Sequence, residues 1–192
     1  MSSQAITATT TYFTNPGKEN TEDTLRLAKR RAQELSINTI LVASTSGETG
    51  VRAAQLFEGF RLIVVSHSTG LTKPDTQELE PEHRSLVESH GATILTATHA
   101  FGGVGRAVRR RLNTYQTEEI IAYTLRVLGE GMKVACEIAL MAADAGLVRT
   151  DQEVVSLGGT GRGADTAVVL KPAHAQDFFD IRVNEIICKP RL

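Results

Sequence analysis

Two short runs constrain the fold of this chain more than anything else in it: Thr39-Ile40-Leu41-Val42-Ala43 and Arg61-Leu62-Ile63-Val64-Val65. Both are β-rich and lack polar alternation, so each must be covered on both faces, as the strands of a parallel sheet are. Around them the period becomes helical. Leu25, Ala28, Ala32 and Leu35 share a face in a helix that Asn20 or Thr21 is placed to cap, with Glu22 and Asp23 at its positive end. A second helix follows the Ser44–Gly50 segment and runs to about Phe57, and a third from about Pro81 to His90, with proline in its first turn. Thr93-Ile94-Leu95-Thr96 reads as a weaker strand, residues 104–113 and 117–128 as helices, and Met132 to Ala145 as a small-residue helix ended by Gly146. Glu153 to Leu157, Thr166 to Leu170 and Ile181 to Cys188 read as the last strands. Strands alternating with helices imply an α/β fold, with helices on both faces of the sheet. No repeat or linker divides the chain, so residues 1–192 are read as one α/β domain. Residues 1–20, Thr-rich and interrupted by the Asn15-Pro16-Gly17 turn, form an N-terminal extension packed on or near it.

Composition narrows the partners. A chain of 192 residues, 41% hydrophobic, buries a sizeable core without disulfides or a structural metal. Its 21 Lys+Arg nearly cancel 22 Asp+Glu, which argues against a duplex-coating or membrane-surface protein. No apolar stretch approaches the ~18 residues of a membrane span. The opening MSSQAITATT lacks the charged start and apolar run of a secretory signal. Cys136 and Cys188 are isolated thiols without the spacing of a zinc site or disulfide framework, and Cys136 reads as a packed thiol. The expected setting is the cytoplasm, without nucleic acid, membrane or metal.

Open α/β sheets bind ligands beyond the carboxyl ends of their parallel strands. Two polar segments of this chain sit there. Ser44-Thr45-Ser46-Gly47-Glu48-Thr49 joins hydroxyls and a glycine to the start of a helix, whose unpaired N–H groups suit a phosphate; otherwise it is a capped loop facing water. The second, Gly158-Gly159-Thr160-Gly161-Arg162-Gly163, lets backbone amides curl around an anion, with Arg162 as a bidentate contact; otherwise it is a glycine-rich turn. Asp165 would repel phosphate and suits a sugar or polyol hydroxyl; Thr166 follows it. Neither segment is a P-loop, because Ala164-Asp165 follow Gly163 where Lys-Ser/Thr is needed. The dinucleotide pattern fails at Thr166 and again at Val108. The residues alone point to a phosphate plus a polyol.

Together, Val42-Ala43-Ser44-Thr45-Ser46-Gly47-Glu48-Thr49, the Arg61–Val65 run and Leu157-Gly158-Gly159-Thr160-Gly161-Arg162-Gly163-Ala164-Asp165-Thr166-Ala167 resemble the C-terminal α/β domain of pyruvate kinase. In those enzymes the domain carries the allosteric sugar-bisphosphate site, with a Thr/Ser-rich loop on one phosphate and a Gly-rich loop closing over it. The chain is also similar to stand-alone prokaryotic proteins of about this length that are pyruvate kinase C-terminal-domain-like. That likeness runs through Tyr12-Phe13, Pro16-Gly17-Lys18-Glu19-Asn20-Thr21, Gly131-Met132-Lys133-Val134 and Ala142-Ala143-Asp144-Ala145-Gly146. The resemblance implies a three-layer α/β/α sandwich with a mostly parallel sheet, and FMN as the ligand. Phosphoryl transfer in pyruvate kinase belongs to a separate barrel domain absent from these 192 residues, so no pyruvate kinase activity is implied. Glu48, where kinases often have Arg or a neutral residue, argues against a sugar bisphosphate.

Ser66 and His67 at the end of the second strand, Gly102, Gly103 and Lys133 complete the candidate ligand-binding set. Lys133 begins a helix, where its charge is unfavourable unless an anion is near; the expectation is a solvated side chain, with Glu137 one turn on as a possible partner. His67 and His99 could reach one crevice and serve acid–base chemistry, but no carboxylate can be paired with either, so polar loop roles are expected. Arg106, Arg109, Arg110 and Arg111 form a basic cluster that reads as a solvated or ion-paired face. Phe101 and Tyr12 are ring-stacking candidates for a flavin. The functional expectation is a binding protein for a small phosphorylated ligand, FMN by resemblance, with monomer and homo-oligomer both open. A sugar-phosphate sensor acting through a partner and a small enzyme on a phosphorylated metabolite remain as alternatives.

Overall fold

The computed structural model describes residues 5–191. Seven strands form one sheet: β1 (Thr11–Phe13), β2 (Thr39–Ala43), β3 (Arg61–Ser66), β4 (Thr93–Thr96), β5 (Val154–Gly158), β6 (Thr166–Lys171) and β7 (Arg182–Pro190). Their spatial order is β1-β7-β6-β5-β2-β3-β4. Six run the same way, and β6 alone is antiparallel to its neighbours. Six helices accompany them: α1 (Thr21–Glu34), α2 (Glu48–Leu56), α3 (Pro81–Ser89), α4 (Gly103–Leu112), α5 (Thr117–Arg126) and α6 (Glu130–Asp144).

The central strands alternate their side chains between two cores. Ile40, Val42 and Val64 face one layer with Leu25, Ala28 and Val87 from α1 and α3. Leu41, Ile63 and Val65 face the other, against Met132, Ala135, Ala139 and Met141 of α6. Val42 stands in register with both Val64 and Leu157, all fully buried, which is why these strands carry no polar alternation. The result is an α/β/α sandwich with a mostly parallel sheet. Outside α6, α5 adds a small third cluster through Ala122 and Leu140 with Phe101 and Ala173.

Three local features differ from the sequence reading. Thr11–Phe13 is a strand, paired parallel to β7 through Thr11–Cys188, so part of the extension completes the sheet. Asn20 occupies the position before α1, but its side chain donates to the Asn15 and Gly17 carbonyls and caps nothing. Thr21 is not a cap either: its hydroxyl donates to the Lys18 carbonyl and accepts from the Ala164 amide.

The reversal of β6 positions the site. It makes the segment between β5 and β6 a hairpin-like connection at the carboxyl edge of the sheet. Because β5 lies beside β2, that connection emerges next to the loop leaving β2. Here the chain, having built β2, β3 and β4 in one direction, returns to the other side of β2, the switch point where α/β sheets open a crevice.

Candidate phosphate cleft and ionic slot

The loop after β2 is held from behind so that its polar face is free. The Ser44 hydroxyl accepts the Gly50 amide at 3.0 Å, and Val51 N–H bonds the Gly47 carbonyl at 2.9 Å. The Ser46 carbonyl is taken by His83 Nδ1 and the Glu80 amide, both from the α3 region. Gly47 has φ +101, and a Cβ there would meet His83 Cβ at 2.4 Å, so the turn that aims α2 requires glycine. The amides of Glu48 and Thr49 bond no protein acceptor among the described residues, leaving the positive end of α2 open to a ligand. The Glu48 carboxylate, the group expected to repel a phosphate, pairs with Arg52 at 2.7 Å.

Across from this loop lies the glycine-rich connection. Gly159, Gly161, Arg162 and Gly163 share a cleft of about 380 Å³ with Ser44, Thr45, Ser46, Glu48 and Thr49. Asp165 does not reach it. Its carboxylate is fully buried, with one oxygen accepting the Gly17 and Thr160 amides at 3.0 and 3.2 Å and the other the Thr166 hydroxyl at 2.9 Å. Asp165 and Thr166 therefore shape the loop instead of meeting a polyol, and Gly158 is buried beneath α6.

The cleft continues into a deeper slot of about 270 Å³ that shares Ala43, Ser44, Thr45, His67, Glu130 and Val134 with it. Val65, Leu71, Val134, Ile138 and Met141 give this slot apolar walls, while Thr45, Ser66, His67, His99, Arg106, Arg126, Glu130, Lys133 and Glu137 supply polar and charged groups. Each histidine has a carboxylate partner, contrary to the sequence expectation. His67 Nδ1 pairs with the Glu78 carboxylate at 2.9 Å, and its Nε2 lies 3.3 Å from the Thr45 hydroxyl. His99 Nδ1 faces Glu137 at 3.5 Å, its Nε2 is buried without a partner, and the two imidazoles stand 5.1 Å apart. Lys133 is not a solvated side chain. It is buried and paired with Glu137, and its ammonium lies 5.8 Å from the Phe101 ring centroid. Burial pushes the Glu137 carboxyl up, but hydrogen bonding from His99 and the charge and hydrogen bond of Lys133 outweigh it and hold it down at about 2.

The aromatic candidates lie elsewhere. Phe101 packs edge-on against Phe178 in the third core cluster, and Tyr12 sits on the edge strand beneath Lys189. Gly102 and Gly103 line a separate groove that adjoins the slot at His99 and Arg106. Glu78, Glu130 and Arg126 belong to the site and carried no motif; only the i, i+4 spacing of Lys133 and Glu137 announced a contact in advance. Among the described residues no group of three or more His, Cys, Asp or Glu could hold a metal, and no helix is long and apolar enough to cross a membrane.

Comparison with known families decides the relationship: the model of the pyruvate kinase alpha/beta domain matches residues 22–170, more than three quarters of the chain. The chain belongs to the pyruvate kinase alpha/beta domain family. The match spans both loops that line the cleft and everything between them, from α1 to β6. Among solved structures, a mutant of O-ureido-L-serine synthase bound to O-ureido-L-serine is similar over 66% of this chain and 39% of its own, at 18% identity and a TM-score of 0.32. That likeness is too loose to bear on fold or function.

Proposed function

We propose that this domain binds a small phosphorylated ligand at the carboxyl edge of its sheet, with FMN as the preferred occupant. One observation carries the reading: the open N-terminus of α2 and the glycine-rich connection face each other across one cleft, which runs on into an apolar-walled slot. The amides of Glu48 and Thr49 and the hydroxyl of Ser46 would hold the phosphate, and Arg162 would close over it. A flat ring would lie among Val65, Val134 and Met141; no Phe, Tyr or Trp lines the slot, so the imidazoles of His67 and His99 and the guanidinium groups of Arg106 and Arg126 are the flat surfaces available there. Lys133, held by Glu137, would present a fixed positive charge to that ring. FMN supplies hydride and single-electron chemistry when bound. The chain's own contribution is to orient the ring, shield it from water and hold protons on His67 and His99. Two buried free cysteines agree with the reducing cytoplasm in which we place the protein.

The test is the absorption spectrum of freshly purified protein, followed by acid release and mass identification of any ligand. Stoichiometric FMN, with its affinity reduced at least about tenfold by Ser46→Glu, supports the reading. A colourless protein that takes up no added FMN overturns it. A second reading, an enzyme acting on a phosphorylated metabolite, is favoured by the pairing of each histidine with a carboxylate. Turnover abolished by His67→Ala, with the fold and ligand uptake intact, would identify it.

A further inference from the structure

A groove of about 590 Å³ lies on the far side of the slot from the phosphate cleft, between the loops after β3 and β4 and one face of α4. It shares no lining residue with the phosphate cleft. Its character is one-signed. Arg106, Arg110 and Arg111 all line it, and no Asp or Glu does. Among the described residues these three arginines make no ion pair, whereas Arg109, on the same helix, is taken by Glu119. The cluster is ion-paired at Arg109, which fastens α4 to α5, and solvent-exposed at Arg110 and Arg111, as expected of it; beyond that expectation, Arg106, Arg110 and Arg111 line one groove. The hydroxyl residues Ser68, Thr69 and Thr98 also line it. The Arg106 guanidinium lies against Gly102, where a Cβ would come within 2.6 Å of its Nη2.

Three guanidinium groups along one groove repel each other, and an anion among them would offset that repulsion, which no Asp or Glu of the described residues does by pairing with them. Guanidinium forks and hydroxyl donors in one groove match the planar or tetrahedral oxygens of a carboxylate or phosphate. The hollow's volume suits a small molecule. It opens onto the slot through the shared residues Leu71, His99 and Arg106.

We infer that this groove is a second binding site, for a small organic anion. Its phosphate or carboxylate is held by Arg110 and Arg111, and its uncharged end reaches the slot beside Arg106 and His99. The site stands on its own geometry and does not depend on what occupies the phosphate cleft.

Pyrophosphate and succinate serve as the phosphate and carboxylate probes. Each is titrated into the isotope-labelled full chain at constant ionic strength, with backbone amide resonances as the readout. The expected result is saturable movement of Gly102, Gly103 and Thr69 with one or both probes, and the stronger probe names the anion's chemistry. The R110Q/R111Q variant, altered only at exposed positions of α4, should bind that probe roughly tenfold or more weakly. The same change at the remote Arg149→Gln should leave it unaffected. No saturable movement at Gly102 and Gly103, or movement unchanged in R110Q/R111Q, overturns the inference. Movement confined to Ser46 and Gly47 also overturns it, while leaving the phosphate-cleft reading in place.

Discussion

Lys133 and Glu137 stand one turn apart near the start of α6, both buried, where either charge alone would be costly. The lysine sits at the positive end of its own helix, so the carboxylate offsets the dipole as well as the desolvation. Glu137 also accepts the Phe101 amide at 3.0 Å and faces His99, so one residue ties α6 to the loop after β4 and fixes the floor of the slot. Glu137→Gln leaves the lysine without its counter-charge and should cost about 3–5 kcal/mol at neutral pH, measured by urea unfolding. The pH dependence has a definite sign. The folded-state value of about 2 lies below the ordinary 4.5, so the ionised form stabilises the native protein. That contribution, on the order of 3 kcal/mol, is complete above about pH 4.5 and drains away as pH falls toward 2. The gap between wild type and Glu137→Gln should therefore narrow across this window; a gap that stays constant would remove the carboxylate's charge from the account. At the other end of the site, Gly47→Ala places a Cβ against His83 in a left-handed turn and should lower both stability and phosphate uptake, the first by about 1–3 kcal/mol.

At the scale of elements, the start of α6 approaches the sheet more closely than side chains would allow. A Cβ on Gly158 would lie 2.3 Å from the Gly131 carbonyl, and one on Gly131 would lie 2.2 Å from Thr166 Oγ1. Backbone cannot swing aside as a flexible side chain can, so Gly158→Ala must lift the first turn of α6 off β5. The expected cost is about 1–3 kcal/mol, together with weaker ligand uptake, since Glu130, Lys133 and Val134 ride on that turn and line the site. Unchanged uptake would show that the slot tolerates a displaced helix. The same packing explains which elements were legible in advance. β2 and β3 are buried on both faces, so their uninterrupted apolar runs were sufficient. β1 has three residues, one of them exposed, and owes its existence to the edge that β7 offers. The reversal of β6 was not legible, because Thr166 to Leu170 is equally apolar whichever way it runs. The loops after β2 and β5 stood out through glycine and hydroxyl chemistry. The carboxylates did not: Asp165 looks the same in sequence whether it meets a ligand or three donors of its own chain, and Glu78 reaches His67 only because the segment before α3 folds back beside β3.

Across the whole molecule, the two helical layers enclose separate cores, and each contains one thiol. Cys136 lies in the core between α6 and the sheet, and Cys188 of β7 lies in the core beneath α1 to α3. Both are free, and burial pushes both up to about 12, so neither is a thiolate at pH 8. They report on their own layers without a mutation. If the sandwich opens as one cooperative unit, both thiols should react with an aromatic disulfide reagent at a common rate set by global unfolding. That rate should be roughly a thousandfold or more below that of an unfolded chain. The layers are not equal, however. The α6 layer carries the buried ionic pair and the walls of the slot, whereas the α1 to α3 layer holds the loop after β2 from behind. A ligand gripping both loops would tie the layers together and slow both thiols by the same factor, as mass action requires for a ligand bound only by the native state. Faster labelling of Cys136 alone in the ligand-free protein, abolished by ligand, would instead show that the α6 layer opens on its own and that binding closes it.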